Sequence, residues 1–148
     1  MRKLGSDQEI LEFAIFRENE AHNFYMALAS RVQDPQMRHV FEDLAAEELE
    51  HKARLELEII KTGKTISKEQ HSARPSSEYI ISDSPSQLDI DYKDALLLGM
   101  EKEEASFRTY VNLIANAHNE QSQEVLLALA EEEVKHKLRF ETEYDRLA

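Results

Sequence analysis

Leu44-Ala45-Ala46-Glu47-Glu48-Leu49-Glu50-His51-Lys52-Ala53-Arg54-Leu55 is the stretch on which the fold turns, because the chain contains it twice. At an offset of 85 residues it returns as Leu129-Ala130-Glu131-Glu132-Glu133-Val134-Lys135-His136-Lys137-Leu138-Arg139-Phe140. The same offset lays Glu18 on Glu103, Tyr25 on Tyr110, Leu28 on Leu113, Val40 on Val125 and Glu58 on Glu143, with no gap. Within the stretch Leu44, Glu48, His51 and Leu55 step by four, three and four, so they share one face of a helix. The chain therefore reads as two helical hairpins of one design.

The residues around the repeat support four helices. Ile10, Ala14, Ala21, Tyr25, Leu28 and Val32 form one apolar stripe, and Met37, Phe41, Leu44 and Leu55 a second. Leu96, Met100, Phe107, Tyr110, Leu113 and Ala117 form a third, and Leu126, Leu129, Phe140 and Tyr144 a fourth. Asp34-Pro35 reads as a helix stop and a capped restart. Thr62-Gly63-Lys64 ends the second pattern, and His118-Asn119-Glu120 is a tight connection. From about 63 to 89, Pro75, Pro85 and several Ser residues break any helical period, with at most a short extended piece at Tyr79-Ile80-Ile81. A connection of that length needs a topological reason. The expected fold is all-α: an antiparallel four-helix bundle filling residues 1–148 as a single domain. Its hairpins lie at about 7–62 and 90–147, with one long crossover between helices two and three.

Composition narrows the function. Of 148 residues, 41% are hydrophobic and 32% charged, enough apolar material for a core. The 30 Asp+Glu against 18 Lys+Arg give a formal net charge of -12, which argues against nucleic acid or an anionic membrane as partner. With no Cys, the chain cannot use thiol chemistry, disulfides, iron–sulfur ligation or cysteine zinc sites. No apolar run approaches membrane-spanning length, and Met1-Arg2-Lys3-Leu4 leads into acidic residues rather than a signal-peptide core. A cytoplasmic setting is expected.

The chemistry rests on Glu18, Tyr25, Glu48 and His51 in one half and Glu103, Tyr110, Glu133 and His136 in the other. In each half the first Glu precedes the second by 30 residues, which brings the two level in an antiparallel hairpin. All four carboxylates lie on apolar stripes, where an unpaired charge is strongly unfavourable. Converging in one core, they would raise one another's pKa, and two His cannot offset them. Two divalent cations can. Four Glu and two His form a donor set that suits iron or manganese. A lone helical Glu or His is ordinarily a solvated or packed residue, and it is the repetition that singles these out. Small residues beside the first Glu of each half, Ala21 and Ser106, leave room for the cluster. Glu47, Glu50, Glu131 and Glu132 read as surface residues. His22, His39, His71 and His118 lack repeat partners and read as non-ligands. Phe24 and Met26 read as packing or dimer-interface residues.

Glu18-Asn-Glu-Ala-His-Asn-Phe-Tyr25 with Glu48-Leu-Glu-His51, and Glu103-Glu-Ala-Ser-Phe-Arg-Thr-Tyr110 with Glu133-Val-Lys-His136, resemble the rubrerythrin branch of the ferritin-like di-iron carboxylate superfamily. The resemblance covers nearly all of the chain outside the crossover. It implies Glu18 and Glu103 as terminal or switching carboxylate ligands, and Glu48 and Glu133 as bridging or chelating ones. It implies His51 and His136 as caps, one to each metal, and Tyr25 and Tyr110 as hydrogen-bond donors to carboxylates across the site. Two iron ions per chain are implied. Manganese or a mixed pair is also compatible, and zinc could enter on heterologous expression. Rubrerythrins proper carry a further ligand Glu near the position of Ala105. Glu101 and Glu104 are neighbours of that position but not equivalent to it. Full-length rubrerythrins also append a cysteine-ligated rubredoxin-type iron site, for which this chain has no residues.

The expected function is that of a non-haem di-iron oxidoreductase that reduces hydrogen peroxide or O₂ with electrons from an external donor such as a rubredoxin-type protein. The alternative is an iron-binding, ferroxidase or storage-related module that takes Fe²⁺ as substrate and has little peroxidase turnover. A homodimer is implied by the resemblance alone.

Overall fold

The computed structural model describes residues 6–63 and 90–147. The crossover expected at about 63–89, its extended piece and His71 lie outside the described residues, apart from Gly63. Four helices are present: α1 (Asp7–Arg31), α2 (Pro35–Lys61), α3 (Tyr92–Asn116) and α4 (Glu120–Leu147). Their ends fall within two residues of the positions expected from the stripes.

Local chemistry sets those ends. Ser6 caps α1, its Oγ accepting from Glu9 N at 3.1 Å and donating to Glu9 Oε1 at 3.3 Å. This satisfies a backbone donor the first turn leaves open. Asp34 caps α2, accepting from Gln36 N at 2.8 Å and Met37 N at 3.2 Å, with Pro35 in the first turn. Asn119 accepts from Gln121 N and Ser122 N and so starts α4. The chain leaves α2 through Gly63, whose φ of 79° lies in the left-handed region that glycine adopts without a Cβ penalty.

The bundle's directions follow from contacts at its ends. Short connections make α1–α2 and α3–α4 antiparallel hairpins, and α1 also packs on α3 and α2 on α4. Ile90 N donates to Arg31 O at 3.0 Å, placing the entry to α3 beside the exit of α1. At the other end the Asp7 carboxylate accepts from His118 N at 2.9 Å and Asn119 N at 2.6 Å. It thus ties the start of α1 to the α3–α4 turn. Hence α1 and α3 are antiparallel, and α2 and α3 run the same way. The end of α2 and the start of α3 therefore lie at opposite ends of the bundle, whose length is about 40 Å for 27 residues of helix. No helix among the described residues is long and apolar enough to cross a membrane.

The core is divided. Toward one end Ile10, Ala14, Ile15, Leu55, Ile59 and Leu126 make an aliphatic half. Toward the other Tyr25, Leu28, Phe41, Leu96 and Phe140 make a more aromatic half. Phe41, Tyr25 and Phe140 lie with ring centroids 5.8–6.5 Å apart. The two repeats differ here in a compensating way. Gly99 and Phe140 stand at the repeat positions of Ala14 and Leu55. A Cβ at Gly99 would lie 2.7 Å from the Phe140 ring, so the larger ring requires the smaller residue. Between the two apolar halves sits a polar layer.

Candidate metal centre

Each helix sends one carboxylate into that layer. Glu18 comes from α1, Glu48 from α2, Glu103 from α3 and Glu133 from α4, and none is more than 2% exposed. His51 and His136 join them at 4% exposed each, one turn after Glu48 and Glu133. The expected six residues are thus brought into one cluster. Their imidazole rings stack at 5.6 Å, nearly parallel at 8°.

The cluster holds two overlapping four-residue donor groups, and a third group of Glu48, His51 and His136 spans them. Glu18, Glu48, His51 and Glu133 form one, and Glu48, Glu103, Glu133 and His136 the other. Within each, one ligand atom per residue lies within 4.8 Å of every other. Glu48 and Glu133 belong to both groups. Of these two four-residue groups, Glu18 and His51 belong to the first alone, and Glu103 and His136 to the second alone. His51 Nδ1 is 3.2–3.4 Å from Glu18, Glu48 and Glu133 oxygens. His136 Nδ1 is 3.2 Å from Glu103 Oε1 and 3.7–3.8 Å from Glu48 and Glu133.

Proximity is not matched by hydrogen bonding. Both oxygens of Glu48, both of Glu133, Glu18 Oε1, Glu103 Oε2 and His51 Nδ1 are buried without a hydrogen-bond partner. So many open donor atoms aimed at common points fit cations better than protons. Two divalent ions would balance four carboxylates, and oxygen with imidazole donors suits iron and manganese.

Electrostatics points the same way. Burial first, then repulsion from Glu133 and other carboxylates, pushes Glu48 and Glu103 well above the usual carboxylate range, and Glu18 also rises through burial. Glu133 goes down: burial opposes its ionisation, but contacts to His51 and Glu103 and the charge of both His outweigh it. Burial would lower His51, yet its carboxylate neighbours Glu133, Glu18 and Glu48 raise it. Protons in this cluster belong to the group as a whole, and without metal it must hold several.

The two tyrosines cross between halves. Tyr25 Oη donates to Glu103 Oε1 at 2.8 Å, and Tyr110 Oη donates to Glu18 Oε2. Each α-helix of the first-Glu pair therefore carries the donor that orients the other's carboxylate. Burial and the facing Glu raise both phenols well above the usual value, so they stay protonated as donors.

Other residues fall outside the cluster. Glu104 is drawn outward by Lys137 at 2.8 Å and Arg108 at 2.9 Å, and Glu101 is exposed. His22 contacts Ala45 O, His39 pairs with Glu42 and His118 with Asp7. Phe24 packs against Tyr25, whereas Met26 is exposed. Two features were missed by the sequence reading. Glu47, read as a surface residue, places Oε1 3.4 Å from His136 Nε2. Lys102 is fully buried, with its charge felt by Arg17, Glu20, Glu48 and Glu103. The repeat holds a signal for Lys102: it falls on Arg17, so each first Glu is preceded by a cation.

Comparison with known proteins matches residues 9–144 to the rubrerythrin family, and the chain belongs to it. No curated protein matches the sequence. Among solved structures, nigerythrin in its fully reduced, all-ferrous state is similar at a TM-score of 0.75 and 22% identity, over 99% of this chain and 69% of that one. KatB, a manganese catalase from Anabaena, is similar at 0.74 and 16%, over 100% of this chain and 77% of that one. A two-domain protein from Anabaena variabilis with DJ-1/ThiJ/PfpI-like and ferritin-like domains gives 0.73 and 14%, over 95% of this chain. The chain spans 36% of that protein's length. At these identities the structural likenesses establish the ferritin-like fold.

Proposed function

We propose that residues 1–148 form a single di-metal domain that reduces hydrogen peroxide, or more slowly O₂, with electrons from an external donor. The observation that carries this reading is the pair of donor groups sharing Glu48 and Glu133. Glu48 and Glu133 would contribute to holding both of two iron ions, Glu18 and His51 would hold one of them, and Glu103 and His136 the other. Two adjacent redox-active ions supply the two electrons that peroxide reduction needs. Manganese fits the same donors.

The chain's own residues set the conditions. Tyr25 and Tyr110 hold Glu103 and Glu18 in register by donating across the site. The aliphatic and aromatic halves exclude water above and below. Glu47 Oε1 lies 3.4 Å from His136 Nε2, while Nδ1 of the same ring faces Glu103, Glu48 and Glu133. Small residues at Ala21 and Ser106 leave space beside Glu18 and Glu103. A small cavity of about 10 Å³, room for about one water-sized molecule, is bordered by Glu18, Ser106 and Tyr110.

A second reading is favoured by Ala105, which stands where the resemblance places a further ligand carboxylate. With one oxygen donor fewer, the site would serve as a ferroxidase or an iron-storage-related module, with Fe²⁺ as substrate. Stopped-flow absorbance of the ferrous protein separates the two. Fast oxidation by peroxide with slow oxidation by O₂ supports the peroxidase. Fast oxidation by O₂ with retained ferric product supports the ferroxidase, and no reaction with either sinks both.

A further inference from the structure

The two imidazoles of the metal centre are not held alike from outside. The carboxylates against His51 stand at one ring nitrogen: Glu18, Glu48 and Glu133 lie 3.2–3.4 Å from Nδ1. His136 meets Glu103 in the same way, 3.2 Å from Nδ1, but it also has a carboxylate at the other nitrogen. Glu47 of α2 places Oε1 3.4 Å from His136 Nε2. That nitrogen is buried and makes no hydrogen bond among the described residues.

The repeat explains the difference. Glu47 falls on Glu132 at the offset of 85, so Glu132 is the residue expected at the outer side of His51. Instead its Oε2 accepts from Lys135 Nζ at 3.0 Å, one turn further along α4. Lys135 falls on Glu50. Glu47 therefore has a like charge where Glu132 has a cation, and no lysine three residues on draws it aside. What flanks Glu47 comes from α4. Arg139 Nη1 lies 3.8 Å from Glu47 Oε2, and Arg139 Nη2 lies 3.5 Å from Asp43. Arg139 thus faces one oxygen of Glu47 and leaves the other to His136. Arg54, at the repeat position of Arg139, is exposed.

We propose that Glu47 is a positioning residue for one of the two metal positions, accepting the Nε2 proton of His136 so that Nδ1 is the nitrogen offered to the cation. This rests on the reading of His136 as a metal ligand. A neutral imidazole carries its proton on one nitrogen, and the hydrogen bond made there decides which. A carboxylate acceptor at that nitrogen also makes the opposite one a stronger donor to a cation. Nδ1 of His136 already faces Glu48, Glu103 and Glu133, so the tautomer that Glu47 selects is the one the cluster needs. Because Lys135 holds Glu132, the effect falls on the His136 position alone. Glu47 is 38% exposed and the ring 5%, so a surface carboxylate acts on the buried centre through one contact. The rival role is purely structural, with Glu47 as one leg of a surface ion-pair network that ties α2 to α4. Such a role leaves the imidazole protons and the metal affinity unchanged.

Zinc alone is the probe, because it is diamagnetic and accepts imidazole and carboxylate donors. In zinc-loaded protein labelled with nitrogen-15 at histidine, His136 should show a proton on Nε2 and zinc on Nδ1. In Glu47→Ala the Nε2 proton should exchange with water at least about tenfold faster. Competition against a chelating dye should then show one of two zinc-binding steps weakened about 10–100-fold and the other within about twofold of wild type. Glu47→Gln keeps an acceptor oxygen, so it should retain the Nε2 proton and lose less affinity than Glu47→Ala. Glu132→Gln should leave both steps within about twofold. Circular dichroism should be the same for all of these proteins. Unchanged zinc steps in Glu47→Ala, an equal loss in Glu132→Gln, or zinc on Nε2 overturns the proposal and leaves the metal centre standing. A wild-type protein that binds no zinc, iron or manganese overturns the metal reading itself, and this proposal with it.

Discussion

Glu48 should be a destabilising residue in the metal-free protein and a stabilising one in the loaded protein. It is fully buried, and neither of its oxygens has a hydrogen-bond partner. Burial and three neighbouring carboxylates raise its pKa well above the ordinary carboxylate range, which favours its neutral form when no metal is bound. A buried neutral polar group left unpaired costs about 1–3 kcal/mol. Leucine has a similar volume and no polar atom. Glu48→Leu should therefore raise metal-free stability by about 1–3 kcal/mol, a Tm increase of roughly 3–10 °C for a chain of this length. With metal the order reverses. A ligand present at about 1,000 times its Kd stabilises by about 4 kcal/mol. Glu48 belongs to both donor groups, so its loss should weaken metal binding at least 100-fold, which removes about 2.7 kcal/mol of that. The chain lacks Trp, so circular dichroism at 222 nm or calorimetry is the suitable assay. Chelator-treated and iron-loaded samples of both proteins would be melted side by side. A metal-free variant that melts below wild type, or an undiminished metal-induced Tm increase in the variant, would refute the reasoning.

Further outcomes follow from the same geometry. Glu18, Glu48, Glu103 and His51 all have folded-state pKa values raised above their ordinary ones, so each contributes stability at low pH that is lost as pH rises through its folded value. Glu133 is lowered and acts in the opposite sense, but it is one against four. Metal-free protein should lose stability between about pH 5 and pH 8, whereas the metal-induced increment should grow, because cations bind the deprotonated ligands. Urea melts at both pH values, with and without metal, check the crossing. Tyr25→Phe and Tyr110→Phe each delete one donor to a carboxylate across the site, and each should weaken metal affinity about 10–100-fold by competition against a chelating dye, with little change in helix content. Gly99→Ala should cost about 1–3 kcal/mol, since its Cβ meets the Phe140 ring at 2.7 Å. Phe140→Leu in the same chain should recover most of that loss, because it recreates the Ala14 and Leu55 pair of the first half. Additive losses in the double variant would show that the two residues are not coupled.

Much of this protein is legible in its residues for a specific reason. Helices of 25–28 residues carry long periodic stripes, and capping residues such as Asp34 and Asn119 mark their ends chemically. A carboxylate on an apolar stripe is an anomaly visible without coordinates, and finding it four times at one offset makes a cluster of it. The tyrosines were legible as neighbours of the site. What stayed hidden depends on distances between helices. Glu47 looks like any acidic residue beside Glu48, and only the packing of α2 on α4 carries it to His136 Nε2. Lys102 looks like a surface lysine between Glu101 and Glu103, but it is fully buried against Arg17, Glu20, Glu48 and Glu103. Glu104 is one residue from Glu103, yet that step is about 100° around the helix, and it faces Lys137 and Arg108 instead.

The sequence by itself determined the helical class, the two-hairpin repeat and which six polar residues lie on the apolar stripes. Those properties are set by periodicity along one chain. Tertiary structure set the distances at which Glu48 and Glu133 join both four-residue groups, and paired Tyr25 with Glu103 and Tyr110 with Glu18. It also decided that Phe140 fits only over a glycine. These depend on how far apart four helices stand and how they are rotated, and side-chain volumes across the whole core settle that together.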